Sequence, residues 1–249
     1  MGGVLSVSVS AKAFQDWRAT AAPLETTADL CRLAGIKRST LAQQLVRGKV
    51  SVSTVVQVAR ACDQDPVEAL SYFEEYRDLR AGMRPPSSAE LISQVTYVCI
   101  LEQVVARSRQ PGLSPEEMPA LCAFPHRYSV RGWFAAVDPG DLRQRLSAST
   151  GVAPQNLSAQ LTAGRLASGL AVEAARLAGV SLTSGLVATG MLTPDECGWP
   201  RGGREQALAQ LSDADLVILA RDRLDALGKV LKKVENEEKN NFALMEQLG

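Results

Sequence analysis

Displaced by 116 positions, this chain falls back onto itself. Trp17 meets Trp133, Leu30 meets Leu146, Gly35 meets Gly151 and Leu41 meets Leu157. Gln44 then meets Gln160, Leu45 meets Leu161, and Gly48 meets Gly164. The register runs on without a slip through Lys49 and Arg165, Val56 and Val172, Ala59 and Ala175, Arg60 and Arg176, and Leu70 and Leu186. Two glycines, a tryptophan and an apolar stripe in one ungapped register imply two diverged copies of one structural unit. Whatever the first copy folds into, the second is expected to follow.

The first copy reads as helices. Thr27 caps a helix that carries Leu30, Leu33 and Ala34 inward, and Gly35 supplies the positive φ that ends it. After Ile36, the run Lys37-Arg38-Ser39-Thr40 opens a second helix with Leu41 and Leu45 on its apolar side, and Gly48 stops it. Ser51-Val52-Ser53 starts a third, whose buried stripe is Val55, Val56, Val58 and Ala59, and Asp65-Pro66 starts a fourth. Alternating runs of Val, Ile, Tyr and Phe between turn residues are scarce, so an all-α fold is expected.

A short helix, a glycine turn, a second short helix and a longer one is the order of a DNA-reading helix-turn-helix. The second helix offers Arg38, Ser39, Thr40, Gln43, Gln44 and Arg47 on its open face. Gln can bond adenine bidentately, Arg guanine, and Ser or Thr either. Lys37, Arg47 and Lys49 are expected at phosphates. The chain as a whole is neutral, with 27 basic and 27 acidic residues, but no acid falls between Leu30 and Cys62. The local field there is therefore positive. A plain helical bundle with a solvated basic face would explain the charge. It would not explain two glycines bracketing a short helix of Gln, Ser, Thr and Arg.

Ala28 to Leu41 (Ala-Asp-Leu-Cys-Arg-Leu-Ala-Gly-Ile-Lys-Arg-Ser-Thr-Leu), followed by Arg47-Gly48-Lys49 and by Val55 to Leu70, resembles the Cro/CI-type (XRE) helix-turn-helix family. The likeness covers most of residues 13–73. It implies a small helical domain that binds operator DNA, as in phage repressors, antitoxins and restriction controllers.

In the second copy the corresponding helix begins Ala153-Pro154-Gln155-Asn156, and Pro suits a first helical turn. Gln155, Asn156, Ser158, Ala159 and Gln160 form its expected open face. Arg165 stands where Lys49 stood, Arg143 and Arg145 add charge, and no acid lies between Arg143 and Val172. The rival reading is a packing or dimerisation module, because this helix lacks the Lys-Arg pair.

Ala81 to Ser88 reads as a linker. A helix is expected from about Ser88 to Arg107, a break at Gln110-Pro111-Gly112, and a short helix near Met118 to Leu121. Ser88-Ala89-Glu90-Leu91-Ile92 is echoed by Asp213-Ala214-Asp215-Leu216-Val217. A trailing helix of this kind behind an XRE-like domain is similar to immunity repressors of actinobacterial phages. From about Ser212 a final helix carries Val217, Ala220, Leu224, Leu227, Leu231 and Val234 at spacings of three and four, a coiled-coil seam suited to self-association or to packing on its own domain. Glu235 to Asn241 is polar and is expected to fray.

The expected architecture is two tandem helix-turn-helix domains, 1–80 and 127–195, with a linker and connecting helices over 81–126 and a long C-terminal helix over 205–249. The expected function is sequence-specific binding of double-stranded operator DNA as a repressor, of the temperate-phage immunity kind. Two alternatives are a ligand- or peptide-responsive regulator sensing through residues 88–126, and an antitoxin-type regulator in which only the first domain binds DNA. Five scattered cysteines without a C-x-x-C pair fit buried thiols in a reducing cytoplasm. The lone His126 leaves no metal cluster and no nucleophile–base set, so neither enzyme activity, a metal nor a cofactor is expected. No apolar run is long enough for a membrane span. Met1-Gly2-Gly3-Val4-Leu5-Ser6 matches a short myristoylation pattern and is read as a flexible leader or a short arm rather than a lipidation site. The expected location is the cytoplasm at the nucleoid, that of the host cell for a phage product.

Overall fold

The computed structural model describes residues 8–110, 112–114 and 116–248, and the Met1–Ser6 pattern lies outside them. In chain order the elements are β1 (Ser8–Ser10), α1 (Ala11–Ala21), α2 (Thr27–Leu33), α3 (Arg38–Val46), β2 (Lys49–Ser51), α4 (Val52–Ala61) and α5 (Pro66–Ser71). They continue with α6 (Ser88–Ser93), α7 (Tyr97–Arg109), α8 (Ser129–Val137), α9 (Leu142–Thr150), α10 (Pro154–Thr162), α11 (Ser168–Ala178) and α12 (Ser184–Ala188). The last two are α13 (Gly203–Ala209) and α14 (Asp213–Leu248). The protein is mostly helical, as the composition implies. No described helix is long and apolar enough to cross a membrane.

Two compact units emerge. One holds the described part of residues 1–94 with 124–203, and so contains both repeats; the other holds the described part of 95–123 with 204–249. Within the first, the displacement of 116 carries α3 onto α10 end for end, Arg38 to Pro154 and Val46 to Thr162. Gly35 and Gly151 take φ of 66° and 71°, and Gly48 and Gly164 take 72° and 65°. The equivalent side chains Leu30 and Leu146, Leu41 and Leu157, and Trp17 and Trp133 are all buried.

Three local expectations are corrected here. Thr26, rather than Thr27, caps α2, its hydroxyl accepting from the Asp29 N–H at 3.2 Å. The helix expected over Ser88–Arg107 is two helices. Thr96 caps α7 at the Cys99 N–H, and Gln94 is buried at the break, donating to the Ser129 carbonyl at 3.2 Å. A small sheet also exists, with Val9 opposite Val50 in antiparallel register and both buried. Among the described residues it has no counterpart in the second repeat, where the position of Val9 is taken by Pro125, which has no N–H to donate.

The repeats hold each other by reciprocal ion pairs. Arg60 on α4 grips Glu196 with two nitrogens, at 2.7 and 2.8 Å. Its equivalent on α11, Arg176, grips Asp78 with two nitrogens in the same way. Each repeat therefore reaches from the same helix position into the segment that follows the other, the pattern of a two-fold interface folded into one chain. Tyr76 and Ser168 hydroxyls meet at 3.2 Å in the buried interior of this junction, and the Leu182 N–H donates to the Gly82 carbonyl at 3.1 Å.

In the second unit α7 packs on α14. Arg107 closes the end of α13 by donating to the carbonyls of Leu208 at 2.8 Å and Leu211 at 2.7 Å, satisfying groups a helix end leaves open. The short helix expected near Met118–Leu121 is irregular chain instead. Pro119 interrupts it, and its carbonyl accepts from Gln103 at 2.8 Å. Cys31, Cys99 and Cys197 are buried as expected, but Cys122 is exposed. Glu235–Asn241, expected to fray, is helical in the structure. The backbone stays helical to Leu248, because no Gly or Pro interrupts it after Gly228.

Candidate nucleic-acid interface

α3 is anchored by Leu41, which is fully buried, and by the half-buried Leu45. That orientation turns Arg38, Ser39, Thr40, Gln43 and Arg47 outward, with exposed Lys37 and Lys49 at its two ends. Among the described residues, Lys37, Arg38, Arg47 and Lys49 are exposed and enter no ion pair.

The start of α3 is open as well. Side chains cap α1, α2, α4, α5, α6 and α7, through Ser10, Thr26, Ser51, Asp65, Ser87 and Thr96. Lys37 gives α3 no such cap. The Thr40 N–H bonds back to the Lys37 carbonyl at 2.9 Å, so the Arg38 and Ser39 N–H groups and the positive end of the dipole are what the missing cap leaves open.

Gln44 is not on this face. Its Oε1 accepts from the Ser51 N–H at 3.0 Å and from the Thr54 hydroxyl at 3.1 Å, tying α3 to the start of α4. Gln160 does the same in the second repeat, accepting from the Ala167 N–H at 3.2 Å. Both were expected as base readers; each is half-buried and bonded to the start of the next helix. Two signals in the sequence could have found this. Position 44 lies three residues after the inward Leu41, on the same helical side. Gln is also kept in both copies where the outward residues around it differ.

On α10, Gln155, Asn156 and Ala159 are exposed, as is Arg165 just beyond it, while Ser158 is half-buried beside the inward Leu157 and Leu161. Pro154 opens the helix and no side chain caps it. Arg145 does not add to the open charge, because it donates to the Leu177 carbonyl at 2.9 Å and lies 3.6 Å from Asp141. Arg143 is exposed. The second face is thus less basic than the first.

Sequence reading passed over Val46. It is 89% exposed on the outer side of α3, and its equivalent Thr162 is exposed too. An exposed apolar group of this kind has the chemistry to contact a thymine methyl. His126 belongs elsewhere. The Tyr128 N–H donates to its Nδ1 at 3.2 Å, which leaves Nε2 to carry the proton and donate to the Gln94 carbonyl at 3.2 Å. The ring braces the break before α7.

No family model, curated protein or solved structure matches this chain.

Proposed function

We propose that this protein is a sequence-specific double-stranded DNA-binding repressor of the temperate-phage immunity kind. In this reading the two repeats are helix-turn-helix domains whose recognition helices, α3 and α10, enter the major groove. One observation carries it: α3 and α10 occupy the same register, are locked inward by the same glutamine bond, and turn unlike polar faces outward. Arg38, Ser39, Thr40, Gln43 and Val46 then read one half-site, and Gln155, Asn156 and Ala159 the other. Lys37, Arg47, Lys49 and Arg165 hold phosphates, with the uncapped start of α3 beside them. Because the faces differ, one chain reads a site with two unlike halves, where a dimer of identical subunits needs a palindrome. Operator binding is intracellular work at the nucleoid, and self-association goes through the C-terminal helix.

The test is selection of bound sites from random duplex DNA by the purified protein, with the mass of the complex measured by light scattering. A long asymmetric consensus bound per chain supports the reading. Failure to enrich any sequence sinks it.

A ligand-responsive regulator is the second reading. It is favoured by a cavity of about 670 Å³ in the second unit, whose lining includes Gln103, Arg107, Met118, Leu121 and Leu208. A small molecule that raises Tm and changes operator affinity would support it.

A further inference from the structure

α14 has two sides that differ in what covers them. Leu216 and Ala220 are buried, and α7 is the helix packed along α14. Next to that side runs a second apolar edge, Val217, Leu224 and Leu231, which are 52%, 41% and 52% exposed. The three are seven residues apart, the period that keeps one edge of a helix facing a partner helix over several turns. Val234 extends the edge and is also exposed. Among the described residues, this chain leaves the edge in water.

We propose that this edge pairs with the same edge of a second copy, the two α14 helices running antiparallel and crossing at Gly228. The proposal rests on the self-association reading and fixes its partner and direction.

Charge selects the direction. Arg221 and Glu235 flank the edge on the same side, seven residues before and seven after Gly228. An antiparallel crossing at Gly228 sets Arg221 against the partner's Glu235, and Glu235 against the partner's Arg221. A parallel pair would level like with like, and the other flanking positions, Arg223 and Val230, would reach the partner's Gly228 and Glu235 without forming an ion pair. Gly228 presents no side chain at the crossing, and a Cβ built there would meet nothing within 4 Å of its own chain, so the two backbones can come close. Within one chain Arg221 rests on its exposed neighbour Asp222, a surface pair that costs little to exchange.

The experiment is sedimentation equilibrium of the full chain without DNA, over a concentration series. A monomer–dimer equilibrium is expected. Leu224→Glu with Leu231→Glu, both exposed and so compatible with folding, should shift it to monomer; retained helicity by circular dichroism confirms that the variant folds. Arg221→Glu should weaken association about tenfold, since two symmetric pairs turn repulsive. Adding Glu235→Arg to that variant should restore the wild-type dissociation constant to within about threefold. Wild type that stays monomeric throughout, or a double reversal weaker than the single, overturns the proposal. Site selection is read separately, so a dimer that enriches no sequence sinks the DNA reading alone.

Discussion

Gln44 and Gln160, 116 residues apart, make one bond twice. Each turns its side-chain carbonyl inward onto the backbone N–H at the start of the next helix, Ser51 at 3.0 Å and Ala167 at 3.2 Å. The bond joins the outward-facing helix to the long helix behind it, so it governs the angle at which the outward face is presented.

Neighbouring glutamines should therefore behave differently. Gln43→Ala should cost about 1–3 kcal/mol on the selected site and little on random DNA, as removal of a base-reading group does. Gln44→Ala should lower the stability of the fold by about 1 kcal/mol or more, leaving the Ser51 N–H short of a partner. Its effect on binding should fall on specific and random DNA alike. Fluorescence anisotropy on both duplexes, with urea unfolding alongside, separates them. Loss of specificity by Gln44→Ala with stability unchanged would return Gln44 to the reading face.

The reciprocal pairs predict a response to acid. The Asp78 carboxyl is held below its ordinary value of 3.8, chiefly by the hydrogen bond from Arg176, against a smaller upward push from burial. For Glu196 burial is the largest influence and pushes upward, but the bonds from Arg60 and Thr193 together outweigh it and leave the group lowered from 4.5. A carboxyl lowered in the folded state stabilises the fold above its ordinary value and loses that contribution as pH falls through the lowered one. Stability should thus decline below about pH 4.5. Arg60→Ala with Arg176→Ala should flatten the decline. Equal slopes for variant and wild type in urea unfolding at stepped pH would show that the pairs contribute nothing.

A difference between the repeats sits just past α4 and α11. Asp63 holds φ of 55°, and its equivalent Gly179 holds 72°. A side chain in the left-handed region is strained, though Asp tolerates it better than most. Asp63→Gly should change stability by less than about 1 kcal/mol, because relief of strain is offset by the freedom glycine loses on folding. Gly179→Ala should cost about 1 kcal/mol or more, with thermal unfolding as the readout. A stabilising Gly179→Ala would mean that the turn relaxes out of the left-handed region.

Much of this was legible in the residues. Gly35, Gly48, Gly151 and Gly164 announce their turns because few other residues accept a positive φ, and the ungapped register carries that reading from one repeat to the next. The ends of α3 and α10 follow directly. The break at Gln94 was not legible. Ser88 to Arg107 has no Gly or Pro, and the interruption depends on Thr96 capping α7 and on Gln94 bonding to Ser129, 35 positions away. The reciprocal grip of Arg60 and Arg176 was hidden for the same reason. Their partners stand 136 and 98 positions away, where no local pattern marks them. Which glutamines face outward and which brace was half visible, through helical period and shared identity, but inward direction only acquires a partner once α4 and α11 are in place.

Under the proposed function, the second repeat decides whether one chain reads one half-site or two. Gln155 and Asn156 are exposed at the start of α10, but the face behind them is less basic than that of α3, since Arg145 is engaged at Leu177 and Asp141. If α10 reads bases, changing Gln155 and Asn156 to Ala should relax sequence preference at one end of the selected site only, at a cost of about 1–3 kcal/mol for each bidentate pairing removed. Arg165→Ala should weaken binding to all sequences and lower the salt slope by about one. Repeating the site selection with both variants checks each outcome. An unchanged consensus and salt slope would leave α3 as the only reader, and the second repeat would serve to hold Arg60 and Arg176 in their mutual grip.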